Sequence, residues 1–158
     1  MNLIEQIQAL IAGAPDIESQ MSVAAIAPTL QRIAETLPLS AYYIRQSSQG
    51  EWVVNVLSHR QSKLEVKVIY AFNTIEDISK IDESPKSEDL GIKMPIIHLL
   101  FEILSMYEID RVIFLNNSQN LNLGQEISRQ DLEASIIKDL QQQTPSAQLP
   151  SSLPPDVC

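Results

Sequence analysis

Apolar residues step by three and four from the start of the chain. Leu3, Ile4, Ile7, Leu10 and Ile11 recur at helical spacing, and Gly13 followed by Pro15 supplies a stop, which predicts a short amphipathic helix within residues 1–14. Val23, Ile26, Leu30, Ile33 and Leu37 repeat the same rhythm, with Ser22 as N-cap and Pro38 as terminator. Pro28 interrupts this second pattern. A proline inside a helix removes one hydrogen bond and clashes one turn back, so the regular helix is expected to start at Pro28 or to kink there.

From Ala41 the period changes to two. Tyr42 and Ile44 share one face, followed by Trp52, Val54 and Val56, then by Leu64, Val66, Val68, Tyr70 and Phe72. With turns at Ser47 to Gly50 and His59 to Lys63, this predicts an antiparallel three-strand meander. Thr74 with Asp77 predicts a short helical turn through Ile81, and DESPKSEDLG reads as a surface loop. Pro95 then opens a helix in which Ile96, Ile97, Leu99, Leu100, Phe101, Ile103, Leu104, Met106 and Tyr107 point almost everywhere. His98, Glu102 and Ser105 are left as one polar stripe. Such a helix is core on all sides but one.

RVIFL, apolar at consecutive positions, predicts an inner strand, and Leu121 to Leu123 a further short extended piece. Ser128 with Asp131 caps a last helix carrying Leu132, Ile136, Ile137 and Leu140, which ends at Gln143. The expected fold is α+β, an antiparallel sheet of four or five strands with helices packed on it, in the order α-α-β-β-β-α-α-β-(β)-α. Residues 1–143 form one such domain, with 1–14 as a separate N-terminal helix. Residues 144–158, with four prolines and no periodicity, read as a disordered tail.

Composition narrows the function. The chain has 158 residues, 44% of them hydrophobic, and 20 acidic against 11 basic side chains give a formal charge of −9. That field repels a phosphate backbone, and no basic patch is large enough to overcome it, so nucleic acid is not an expected partner. MNLIEQIQALIAGAP holds no Lys or Arg and no continuous apolar region, so no secretory or transit signal is expected; no apolar run is long enough for a bilayer. A cytoplasmic, non-membrane protein is the expectation. Cys158 is the single cysteine, which excludes an internal disulfide, and its position leaves no room for a prenylation signal.

Candidate chemistry is sparse. His98 and Glu102, one turn apart, have the spacing by which a carboxylate orients an imidazole, but no nucleophile is tied to them by sequence, and an exposed polar stripe is the simpler reading. His59 lies in a polar turn and is given no role. The acidic residues from Glu76 to Asp89 lack the alternation and central glycine of a calcium loop, and the four glycines are scattered. No catalytic group, metal site or cofactor site is expected.

The most informative surface is the second face of the meander. Tyr43, Val53, Leu57, Ile69 and Ala71 alternate away from the expected core and are apolar. A face like that requires cover, either from the N-terminal helix or from a partner or second copy. The order helix, three-strand meander, helix, strand, short strand, helix, running from Ser22 to Gln143 in an acidic chain, resembles the type III secretion chaperone-like fold, including the YbjN-like proteins. The resemblance implies a dimeric module that binds extended or amphipathic segments of a partner. The expected function is therefore non-enzymatic protein binding, as a chaperone or assembly factor. A small-molecule or enzymatic domain with a pocket between sheet and helices, and a structural subunit of a larger complex, are the alternatives.

Overall fold

The computed structural model describes residues 2–58, 64–76, 78, 90–115 and 124–143. His59 and the turn to Lys63, the piece at Leu121 to Leu123, and the tail 144–158 with Cys158 lie outside them, as do half of the 74–81 turn and most of the loop after it.

The fold is α+β. Its elements are α1 (Leu3–Ala12), α2 (Ile17–Ala34), β1 (Ala41–Gln46), β2 (Asn55–Ser58), β3 (Glu65–Phe72), β4 (Leu90–Pro95), α3 (Ile96–Ser105), β5 (Arg111–Leu115), β6 (Gly124–Ser128) and α4 (Arg129–Gln143). The strands form one mixed sheet in the order β4-β1-β3-β5-β6, with β2 also paired to β3.

β3 is central because its sequence leaves it no exposed side. Val68 to Phe72 are buried at five consecutive positions. Ala71 pairs with Ile44 and with Phe114, and Val68 pairs with Asn55 and with Arg111. β1 and β2 therefore share one flank of β3, end after end, and β5 takes the other. The turn at Ser47 to Gly50 does fold back, with Gly50 N–H donating to the Ser47 carbonyl at 2.9 Å and Trp52 bridging Gln46. The chain then rejoins β3 instead of completing a hairpin with β1. All pairings are antiparallel except β3 with β5, which is parallel. A parallel pair needs a crossover, and here it contains β4 and α3.

β4 occupies residues that the sequence pattern assigns to the loop and to the approach to Pro95. It pairs along its whole length with β1, from Ala41↔Pro95 to Gln46↔Leu90. Pro95 is tolerated as the last residue of a strand that pairs on one flank among the described residues.

One sheet face carries the helices. Tyr42, Ile44, Ile69, Ala71, Val112 and Phe114 share a core with Leu30 of α2, with Ile97, Leu100 and Ile103 of α3, and with Leu132 of α4. Ile69 and Ala71, expected on the opposite face, are thus interior residues at 1% and 0% exposure. The reason is that β3 is apolar on both faces, so alternation alone does not say which one meets the helices. Val68, Tyr70, Phe72, Ile113 and Leu115 form a second buried cluster on the far face, with Tyr43, Val66 and Ile78 packed against it.

Local signals set the helix ends. Asn2 caps α1 reciprocally with Glu5, its side chain accepting the Glu5 N–H at 2.8 Å and its own N–H donating to Oε1 of Glu5 at 3.0 Å. α2 starts at Ile17, earlier than Ser22 or Pro28, because Asp16 accepts the Ser19 N–H at 2.7 Å. Pro28 sits inside α2 on its exposed side, as does Ala24, whose carbonyl loses its helical donor to the proline ring. In α3, Ile96, Ile97, Leu99, Leu100 and Ile103 are buried and His98, Glu102 and Ser105 face outward, as the sequence predicts. The helix ends at Ser105, and Tyr107 is 78% exposed under the Arg129 guanidinium, 4.4 Å from its ring centre. α1 packs on α2 and α3, and so does not cover the far face of the sheet.

Candidate functional site

A cleft of about 410 Å³ lies between α1, the start of α2 and α3. It exists because α1 is an outer helix laid on two others. Gly13 N–H donates to the Ala9 carbonyl and Ala14 N–H to that of Ile11, closing α1, and Asp16 opens α2 three residues later. The chain reverses in a short turn, leaving a gap over the outward stripe of α3. Ala9, Leu10, Pro15, Val23 and Phe101 give the cleft an apolar lining, and Ser19, His98 and Glu102 bring polar groups to it. Ala9, Gly13, Pro15 and His98 are exposed, so the cleft is open along one side.

Gln6 lies at the junction and is 4% exposed. Its Nε2 donates to the Ser40 carbonyl at 2.8 Å, and its Oε1 accepts the Ile97 N–H at 2.9 Å. Pro95, the N-cap of α3, offers no capping side chain, and the first two amides of that helix are satisfied from elsewhere: Ile96 N–H by Ser40 and Ile97 N–H by Gln6. A helix start left without such partners would carry orphan donors. Gln6 thereby fixes α1 against α3 and sets the width of the cleft.

At the cleft, His98 Nε2 stands 3.5 Å from Oε1 of Glu102, with the two side chains 45% and 43% exposed. That is a long, solvent-facing contact, worth little as an ion pair. Among the described residues no hydroxyl or thiol hydrogen-bonds to His98, and no three His, Cys, Asp or Glu side chains come together. The polar groups can orient or attract a ligand; they do not form a nucleophile with its base. Nearby, the Ser19 N–H bonded to Asp16 holds that carboxyl below the usual carboxylate range. The local field is therefore negative.

The structure divides the five residues proposed as an interaction face. Ile69 and Ala71 are core. Tyr43, paired with Phe72, and Leu57, paired with Val66, lie on the far face, where Val53 lines a dent of only about 10 Å³ with Arg45 and Tyr70. Tyr43 and Val53 are half-buried and Leu57 is 40% exposed, so no deep recess is formed there by described residues. The cleft escaped the sequence reading because its walls come from three helices. One signal was present: Gln6 sits on the same helical face as Leu3, Leu10 and Gly13, a polar residue in an apolar stripe.

No helix among the described residues is long and apolar enough to cross a membrane. No protein-family model matches the chain, and no curated protein or solved structure matches it either.

Proposed function

We propose that the chain is a non-enzymatic protein-binding module, a chaperone or assembly factor acting as a homodimer in the cytoplasm, and that it buries an apolar anchor of a partner protein in the cleft between α1, α2 and α3. The observation that carries this reading is the apolar lining of an open-sided cleft with carboxylates beside it. A site for a free small molecule encloses most of its ligand, whereas an open cleft suits a side chain presented by a larger surface. The likeness to the type III secretion chaperone-like fold belongs to the same proposal, and the α+β architecture is compatible with it.

Ala9→Trp tests the reading. Ala9 is exposed on α1, so a tryptophan there occupies the cleft without entering the core. Tagged full-length chain is expected to capture one partner near unit ratio from cells of the source organism, and the variant to lose it. Equal capture by the variant rejects the cleft as the binding site.

The second reading, a small-molecule or enzymatic domain, draws on the position of His98 and Glu102 at the same cleft. Full biological activity of a His98→Gln variant eliminates imidazole chemistry there.

A further inference from the structure

Around α1 from the cleft, and lined by none of the same residues, the α1–α2 hairpin carries a second apolar surface. Successive residues of a helix are about 100° apart, which sets Ile4, Ile7 and Ile11 roughly a third of a turn around the axis from Gln6, Leu10 and Gly13. The first three face α2 in a groove of about 310 Å³ that Ala24 and Pro28 complete. α2 extends the groove as a stripe. Ile17, Met21, Ala24 and Pro28 follow one another at spacings of four, three and four, the rhythm of a helix-packing seam, and all four are exposed. Ile17 is 73% exposed, Met21 68% and, on α1 at the Ala24–Pro28 end of the stripe, Ile4 58%. From Ile17 to Pro28 the stripe runs about 17 Å, roughly three helical turns.

From these features we infer that the outer face of the α1–α2 hairpin docks an amphipathic helix of a partner whose apolar side is flanked by lysine or arginine. Charge selects this occupant. Residues 1–44 contain four carboxylates, Glu5, Asp16, Glu18 and Glu35, against one cation, Arg32. Arg32 is already engaged, its Nη1 lying 2.6 Å from Asp139 of α4. All four carboxylates are exposed, and Asp16 is held ionised by the Ser19 N–H. A second copy placed face to face would set these carboxylates against their own image, and like charges across an interface are costly. The Ala24 carbonyl, left without its helical donor by Pro28, adds an acceptor in the middle of the stripe for a cationic donor. Three turns of apolar seam on an acidic hairpin, with a carbonyl that lacks its i+4 donor, match a basic amphipathic helix lying in a groove.

The surface is distinct from the cleft, so the two proposals fail separately. The test titrates full-length chain with a leucine–lysine amphipathic peptide and with its leucine–glutamate counterpart, followed by calorimetry, alongside an Ile17→Ser/Met21→Ser chain and the Ala9→Trp chain. Both serine positions are exposed, so the fold is retained, which circular dichroism checks. The lysine peptide is expected to bind, with affinity falling as salt rises; the double serine variant weakens it by about tenfold or more, equivalent to 1.4 kcal/mol or more, and Ala9→Trp leaves it unchanged. Unchanged binding by the double serine variant overturns the assignment of the stripe, and equal binding of the glutamate peptide overturns the charge argument. A dimer in sedimentation that the serine variant dissociates also overturns it, since the face would then be filled by a second copy.

Discussion

The side-chain oxygen of Gln6 accepts the backbone N–H of Ile97 at 2.9 Å, across 91 residues of sequence. The same carboxamide donates to Ser40, so one buried side chain joins α1, the approach to β1 and the start of α3. Replacing it with leucine keeps the size and removes both bonds. Gln6→Leu is expected to cost about 1–3 kcal/mol, the penalty for the buried Ile97 N–H left unpaired, since the Ser40 carbonyl keeps the Ile96 N–H. Gln8→Leu, at an exposed position of the same helix, stays within about 0.5 kcal/mol. Urea unfolding of the two variants measures the contrast.

Ile69 and Leu57 separate the two faces of the sheet experimentally. Ile69 is 1% exposed beneath the helices and Leu57 is 40% exposed at the outer flank of β3. Truncation of Ile69 to alanine is expected to lose about 2–5 kcal/mol, as for other interior large-to-small changes. Leu57→Ala should lose less than about 1 kcal/mol. With lysine the contrast is sharper: Leu57→Lys folds and Ile69→Lys does not, as circular dichroism would show. A folded Ile69→Lys chain would mean that Ile69 does not lie beneath the helices.

Asp139 makes stability depend on acidity. The Thr29 hydroxyl, donating at 2.7 Å, and then Arg32 at 2.6 Å hold its carboxyl below the usual carboxylate range. A depressed folded-state pKa means that the unfolded chain binds the proton more readily. The contribution is therefore fully present above the ordinary carboxylate value and disappears as pH falls through the depressed one. Wild type and Asp139→Asn are expected to differ in denaturation midpoint at neutral pH and to converge in acid. Curves that stay parallel down to strong acid would show that the carboxylate is not the source of the coupling between α2 and α4.

Gly50 closes the turn after β1 with φ at 82°, and nothing lies within 4 Å of where a Cβ would be. Its requirement is conformational, with no steric component. Gly50→Ala should destabilise by about 1–2 kcal/mol, the cost of a left-handed backbone for a residue with a Cβ. Asn, which tolerates that region better, should lose less. Thermal unfolding of the two variants orders them.

The parts of the fold legible in the sequence are those where one residue pattern admits one geometry. α3 is the clearest case, since its three polar residues share the outward stripe and Ile96, Ile97, Leu99, Leu100 and Ile103 turn inward, while Tyr107, expected among them, lies exposed beyond the helix end. β5 likewise reads as an inner strand and lies between β3 and β6. β4 is hidden in the sequence although Leu90, Ile92 and Met94 alternate with Gly91, Lys93 and Pro95, because its first two residues read as the end of the polar loop and Pro95 as the start of a helix, and its pairing comes from the flank that β1 offers. The direction of β5 was equally hidden, because periodicity fixes which residues face together but not which way a neighbour runs. Ile69 and Ala71 were misplaced for a related reason: five apolar positions in succession carry no phase. Of the candidate sites, the His98 and Glu102 stripe was visible as a helix face. The cleft around it was not, since Ala9, Val23 and Phe101 belong to three different helices and meet only through their packing.

The parallel pairing of β3 with β5 also orders events during synthesis. Lys67 and Asp110, which exchange backbone and side-chain hydrogen bonds at the head of this pairing, are 43 residues apart. β3 thus leaves the ribosome well before the strand that completes it, with β1 and β2 present to guard one flank and the other open. A strand apolar on both faces with a free edge is the species most prone to pair with a neighbouring chain. Growth temperature and translation rate should therefore govern how much of this protein is recovered soluble, more than the equilibrium stability of the finished fold does.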